Sequence, residues 1–353
     1  MELENYKPVS EVVSAKTILR RPKFPVIDFH THMGSLLLGD HYESAYDTED
    51  YVAHLKQFGV VHAVNLDGRY GGELDRMLKK EGAYQSYFTP FMGIDFSDID
   101  LPDFTKQTHD SMIDAFRKGA RGVKLWKDIT LYRKIRTDDY RLDVIYETAA
   151  ELDIPVLMHI GDPVAFFRKN DQYNERFEEL EQNPEWNYSD RSVYPSFEEL
   201  MEMQENTIAR HPNTKFVIAH VGSYAENLSW VRNQLFKHSN MYIDLAARVA
   251  ELGRVPYSSR KLLTECRKRI LFGTDTTPIS WKYYPVLYRF LETKDEYFPY
   301  QPEDEDRPGQ GRWAIYGIHL ADETLRSIYY ENACLLLHID PKEIEQEWKK
   351  STI

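Results

Sequence analysis

The stretch FPVIDFHTHMG, residues 24–34, decides how this chain is read. Val26-Ile27-Asp28-Phe29 is a short run of strand type that stops at His30-Thr31-His32. Side chains alternate along an extended strand, so His30 and His32 face the same way. With twelve histidines in 353 residues, roughly 0.4 His-x-His pairs are expected by chance, so the context must carry the case.

That context is a series of similar runs. VVHAVNLD, YFTPFMGID, ARGVKLWKD, IPVLMHIGD, TKFVIAHVGS, NMYIDLAAR and RILFGTD follow in order. Helical patterns such as EDYVAHLKQFG, ELDRMLKKEG and RLDVIYETAAELD lie between them. Apolar runs without strict alternation suit strands buried on both faces. Eight strand–helix alternations predict an α/β fold whose parallel sheet closes as a (β/α)8 TIM barrel. An open doubly wound sheet is the competitor, but the first βα turn, HTHMGSLLLG, lacks a Gly-x-Gly-x-x-Gly phosphate loop. Barrels of this length fold as one unit, so residues 1–353 are read as a single domain.

The connections are uneven. Residues 161–195 form a long insertion after strand five, rich in Phe, Tyr and Trp, and are read as a lid or pocket wall. Ser196 and Glu199 then have the spacing of a capping box at the start of SFEELMEMQENTIARH. A second irregular segment, residues 300–313, carries an acid run read as a solvated loop. ADETLRSIYYENACLLL and PKEIEQEWKK are expected as C-terminal helices.

Composition narrows the function. A net charge of −13 argues against a nucleic-acid footprint and against an anionic membrane surface. Two cysteines, Cys266 and Cys334, are too few for a disulfide framework or a thiolate zinc site. No secretory h-region and no apolar run of membrane-spanning length is present, so a cytoplasmic protein is expected. The expected partner is a small-molecule substrate, with no nucleic acid and no membrane; a homodimer stays open.

The opening pair now has company. His159 ends strand five, His220 ends strand six and Asp275 ends strand eight. In a parallel barrel these strand ends converge on one rim. Imidazole nitrogens and a carboxylate oxygen suit a borderline divalent ion, zinc before others, in an open catalytic sphere. The remaining histidines are read as ordinary core or surface residues.

VIDFHTH, GVKLW, PVLMHIGDP, FVIAHVGS and LFGTD, in this order, resemble the amidohydrolase superfamily. The likeness is to the branch that also contains the aminocarboxymuconate-semialdehyde and resorcylate decarboxylases. The resemblance spans about residues 24–335. It implies a barrel with a metal at the C-terminal rim, His30 and His32 as ligands, and His159 and Asp275 completing the sphere. It implies that His220 binds or orients the catalytic water or the substrate. Two-metal relatives bridge their ions with a carboxylated lysine at the end of strand four, a place that Lys124 could fill; one ion or two therefore stays open.

The expected activity is metal-dependent hydrolysis of a small amide, ester or lactone-like substrate. Asp275 would shuttle the proton and His220 would stabilise charge on the carbonyl oxygen. The alternative is a metal-dependent decarboxylase of a small, aromatic or cyclic carboxylic acid, with Arg248 gripping the carboxylate. A non-catalytic, ligand-binding barrel is the third reading. Trp126, Asp162 and Phe166, with Phe167, Tyr173 and Trp186, are the expected pocket walls.

Overall fold

Each of the eight apolar runs forms a strand: β1 Val26–Thr31, β2 Val60–Arg69, β3 Phe88–Met92, β4 Val123–Leu125, β5 Val156–Met158, β6 Phe216–Ile218, β7 Met241–Asp244 and β8 Ile270–Leu271. The structure is a computed structural model that describes residues 5–6, 8–34, 39, 42–280, 283–301 and 309–351. The strands pair in parallel and in sequence order. The segment after β8 then runs along β1. Phe29 N donates to Phe272 O at 2.9 Å, Asp275 N to His30 O at 2.8 Å and His32 N to Thr276 O at 3.0 Å. These bonds close the ring, and the fold is a (β/α)8 barrel.

Closure brings β1 and the end of β8 unusually near each other. A Cβ at Gly273 would lie 2.9 Å from the Cβ of His30. Only glycine leaves room there, and the space it leaves is the seam beneath the opening histidine pair.

The expected helices fill the connections: α1 Thr48–Gln57, α2 Gly71–Glu81, α3 Phe104–Lys118, α4 Asp143–Glu151, α5 Phe197–Arg210, α6 Leu228–Lys237 and α7 Pro256–Glu265. Their apolar stripes face the strands; α1, for example, buries Tyr51, Val52 and Leu55. The capping box of α5 forms in both directions. Glu199 N donates to Ser196 Oγ at 3.0 Å and Ser196 N to Glu199 Oε2 at 2.6 Å. Among the described helices of nine or more residues, one is absent from the sequence reading: α8, Tyr284–Glu292. Its aromatic, proline-bearing start hides the helical period. The C-terminal run comprises α9 Asp322–Arg326, a π-turn at Ser327–Glu331, α10 Asn332–Leu337 and α11 Pro341–Lys350.

The segment 161–195 is packed rather than loose. It holds a 3₁₀ turn at Val164–Phe167, a short helix at Phe177–Gln182 and another 3₁₀ turn at Pro184–Trp186. Leu180 is 1% exposed and Tyr188 fully buried. Phe167 meets Tyr188 and Phe197 with ring centroids 5.3 and 5.7 Å apart. Arg176, itself buried, donates to Glu179 at 2.6 Å and to Glu251 beyond β7, tying the segment to the barrel. Tyr173 departs from the expected pocket wall. Its N–H closes a turn on Asp171 Oδ1 at 3.1 Å, and the side chain is left 87% exposed. Phe167 departs too, because it packs into the core rather than against the cavity.

The acid run within 300–313 lies outside the described residues. Both cysteines are buried and free. Among the described residues no helix is long and apolar enough to cross a membrane.

Because Leu180 is wholly enclosed, Leu180→Ala should lower unfolding stability by about 2–5 kcal/mol. Denaturant melts of both proteins measure this. A change below about 0.5 kcal/mol, the size of a surface substitution, would show that the segment is not part of the core.

Candidate active site

His30 is fixed before any ligand arrives. Its Nδ1 lies 2.8 Å from Asp244 Oδ2 at the end of β7. Asp244 is fully buried, and its Oδ1 accepts from His220 N at 2.9 Å and from Ala246 N at 3.1 Å. A carboxylate has no proton to give, so Nδ1 is the donor and Nε2 carries the lone pair. Burial holds the pKa of His30 below its ordinary value, and the ring is neutral.

That lone pair faces Asp275. His30 Nε2 is buried without a hydrogen-bond partner and lies 3.4 Å from Asp275 Oδ1. His32 Nε2 reaches the same oxygen at 3.2 Å. His30, His32 and Asp275 thus bring one ligand atom each to within 4.8 Å of one another. Burial opposes ionisation of Asp275, and the contact with His32 Nε2 favours the carboxylate. A lone pair and a carboxylate oxygen repel across 3.4 Å unless a cation lies between them. The donor set therefore fits a divalent ion, with nitrogen and oxygen ligands of the kind zinc accepts. A second triple, His30, His220 and Asp244, is equally close. There both Asp244 oxygens already serve the His30 ring and two backbone N–H groups.

His220 sits on a strained turn. Its φ and ψ are 58° and 51°, and Val221 follows at 60° and 47°. A β-branched residue rarely adopts this left-handed region. The Asp244 bond to His220 N helps to hold it. His220 Nδ1 lies 2.9 Å from Ala246 O and must donate to it, which leaves Nε2 as an acceptor. Burial puts the pKa well below its ordinary value. Asp275 shares the left-handed geometry, with φ 64°.

His159 is near but differently engaged. Its ring stands 4.4 Å from that of His220, and its Nε2 lies 3.2 Å from Asp162 Oδ1. Burial lowers its pKa to about 4. The other oxygen of Asp162 accepts from Lys127 Nζ at 2.5 Å. Among the described residues His159 belongs to neither ligand triple.

Above the triple opens a cavity of about 690 Å³. Trp126, Asp162, Phe166, His220, Arg248 and Asp275 all line it, as expected from the sequence, and so do Lys124 and Trp186. Phe166 stacks on Trp186 with centroids 5.9 Å apart. Trp126 lies against His32 at 4.9 Å. Segment 161–195 supplies Asp162, Phe166, Arg176, Glu179 and Trp186 to the lining.

Two carboxylates escaped the sequence reading. Asp244 orients His30. Asp67, at the end of β2, accepts from Met33 N at 3.2 Å and lies 3.6 Å from His32 Nδ1. Both follow an apolar run at a strand end, the same signal that marked the histidines.

Comparison with known proteins agrees with the fold. A putative amidohydrolase from Staphylococcus aureus superposes with a TM-score of 0.56 at 15% identity, over 89% of this chain and 100% of that one. A dihydroxybenzoic acid decarboxylase from Polaromonas sp., with bound manganese and the inhibitor 2-nitroresorcinol, gives 0.51 at 12% identity, over 90% and 97%. A 4-oxalomesaconate hydratase from Rhodopseudomonas palustris gives 0.51 at 15% identity, over 92% and 99%. Likeness at such identities shows the shared fold. No curated protein matches the chain in sequence. The amidohydrolase family model matches residues 27–339, and the chain is an enzyme of the amidohydrolase family.

Proposed function

We propose that the chain is a metal-dependent hydrolase of a small substrate bound in the cavity above His30, His32 and Asp275. The observation that carries this reading is the convergence of those three ligand atoms within 4.8 Å. His30, His32 and Asp275 would hold the ion; His159 would join by turning away from Asp162. The donors favour zinc. When bound, such an ion supplies Lewis-acid polarisation of a substrate oxygen and makes water more acidic.

The protein's own groups supply the rest. Asp275 faces His32 Nε2 at 3.2 Å, and its side chain is 27% exposed toward the cavity. It is therefore available to take a proton from attacking water and return it to the leaving group. Of the two parts expected of His220, orienting water is the one that suits its tautomer. Its Nδ1 proton is committed to Ala246 O, so Nε2 accepts and orients water instead of donating to a carbonyl oxygen. Trp126, Phe166 and Trp186 give flat apolar walls that suit a cyclic or unsaturated body. Asp162, neutralised by Lys127, gives the cavity a polar edge. Segment 161–195 acts as the fixed wall of the substrate site.

Arg248 favours a second reading. Its Nη1 donates to Ala247 O at 2.8 Å, and it forms no ion pair among the described residues although it lines the cavity. The guanidinium N–H groups that Ala247 O leaves over suit a carboxylate, as a decarboxylase needs. A structural neighbour is a decarboxylase by its printed name. Products separate the two: hydrolysis yields an amine, alcohol or acid, and decarboxylation yields carbon dioxide.

Purified protein should carry a divalent transition metal, and a chelator should remove both metal and activity. The His30→Ala/His32→Ala double variant should retain none; elemental analysis showing undiminished metal would remove the central claim. Asp244→Asn should keep the ligands but lose their orientation, weakening metal affinity about 10–100-fold. Titration against a competing chelator reads this directly. Asp275→Asn should fold and, per bound metal, lose about 10²–10⁴-fold in kcat. Normal turnover per bound metal would make Asp275 a ligand only.

A further inference from the structure

Six cations line the cavity: Arg69, Lys124, Lys127, Arg133, Arg176 and Arg248, of which Arg69 is engaged by a partner. Lys127 is paired with Asp162, Arg133 with Asp128, and Arg176 with Glu179 and Glu251. Lys124 and Arg248 have no carboxylate within 4.0 Å among the described residues. Lys124 is the sharper case. It is 1% exposed, and its Nζ makes no hydrogen bond. The nearest compensation is the Trp126 ring, with Nζ 4.5 Å from the centroid. A cation over an aromatic face recovers only part of the hydration that burial removes. Burial accordingly pulls the Lys124 ammonium down to about 8.

The fold makes room for this buried charge. Gly68, at the end of β2, has φ +61°, and a Cβ there would meet Trp126 Nε1 at 2.9 Å and Lys124 Cβ at 3.1 Å. A side chain at residue 68 would displace the Lys124–Trp126 stack. Lys124 enters from β4 and Arg248 from just beyond β7, with β5 and β6 between them in the sheet. The two unpaired cations thus stand in different sectors of the rim, on either side of His159 and His220.

From this placement we infer that the substrate is a small dicarboxylate, one carboxylate meeting the Arg248 fork and the other meeting Lys124, with a flat body against Trp126 and Phe166. The inference rests on reading the cavity as the substrate site. Two separated monoanions match a planar fork at one place and a point charge at another. A cavity of about 690 Å³ is of the size that takes a small ligand. In a chain of net charge −13, two cations left free inside one pocket mark where negative charge is admitted.

Calorimetric titration with three probes tests this: benzoate, benzene-1,3-dicarboxylate and phenyl phosphate. Each is titrated into the purified protein as isolated and after chelator treatment, with metal content measured on every sample. The dicarboxylate should bind at least about tenfold tighter than either of the others, before and after metal removal. Lys124→Met should erase that preference while leaving metal content unchanged, and Arg248→Met should weaken all three probes. Equal binding of the three probes by the unaltered protein overturns the inference without any variant. So does a preference that survives Lys124→Met, or a loss of metal in that variant, which would make Lys124 a metal-holding residue. A protein that carries no metal yet still prefers the dicarboxylate would defeat the hydrolase reading and leave this one standing.

Discussion

One buried carboxylate organises the site. Asp244 has both oxygens engaged inside the barrel, one by the His30 ring and the other by the backbone N–H groups of His220 and Ala246. It joins β1, the turn after β6 and the end of β7 at a single point. The same contacts set the His30 tautomer and hold His220 in a backbone region it would otherwise avoid. A buried acceptor left without donors costs about 1–3 kcal/mol, so each of its three partners is also held by Asp244. Geometry and protonation at the rim therefore have a common origin.

Around that point the chain separates rigid from responsive parts. The walls are aromatic and tightly packed, and segment 161–195 is anchored by Arg176 and by enclosed side chains such as Tyr188. Two of the buried polar atoms that lack partners among the described residues, His30 Nε2 and Lys124 Nζ, lie at the rim. Native interiors seldom leave buried polar atoms unpaired.

The barrel was legible in the sequence because its strands are short, apolar and buried on both faces, and the eight runs quoted from residue 24 onward are the eight strands. His30, His32, His220 and Asp275 were legible as polar residues that end such runs. Asp244 ends one too, in NMYIDLAAR, but which ring it meets depends on the ring closing, and no local pattern carries that. The engagement of His159 with Asp162, three positions on, depends on the path of a loop whose course spacing alone does not give. Tyr173 failed as a pocket residue for a similar reason. Composition placed it in an aromatic insertion, and a turn at Asp171 aimed it at solvent.

The seam between the first strand and the segment after the last has a consequence in time. Thr274 Oγ1 donates to Asp28 Oδ2 at 2.6 Å, across 246 positions of sequence, and the His30 and Asp275 backbones are bonded beside it. A growing polypeptide therefore presents its first two imidazoles long before the carboxylate that faces them exists. Contacts of such range form late, since the entropy of closing the loop must be met first. Any truncation ahead of residue 275 leaves His30 and His32 on an open sheet without the carboxylate that faces them. Competence at this site thus reports that synthesis has passed residue 275 and that the circle has shut.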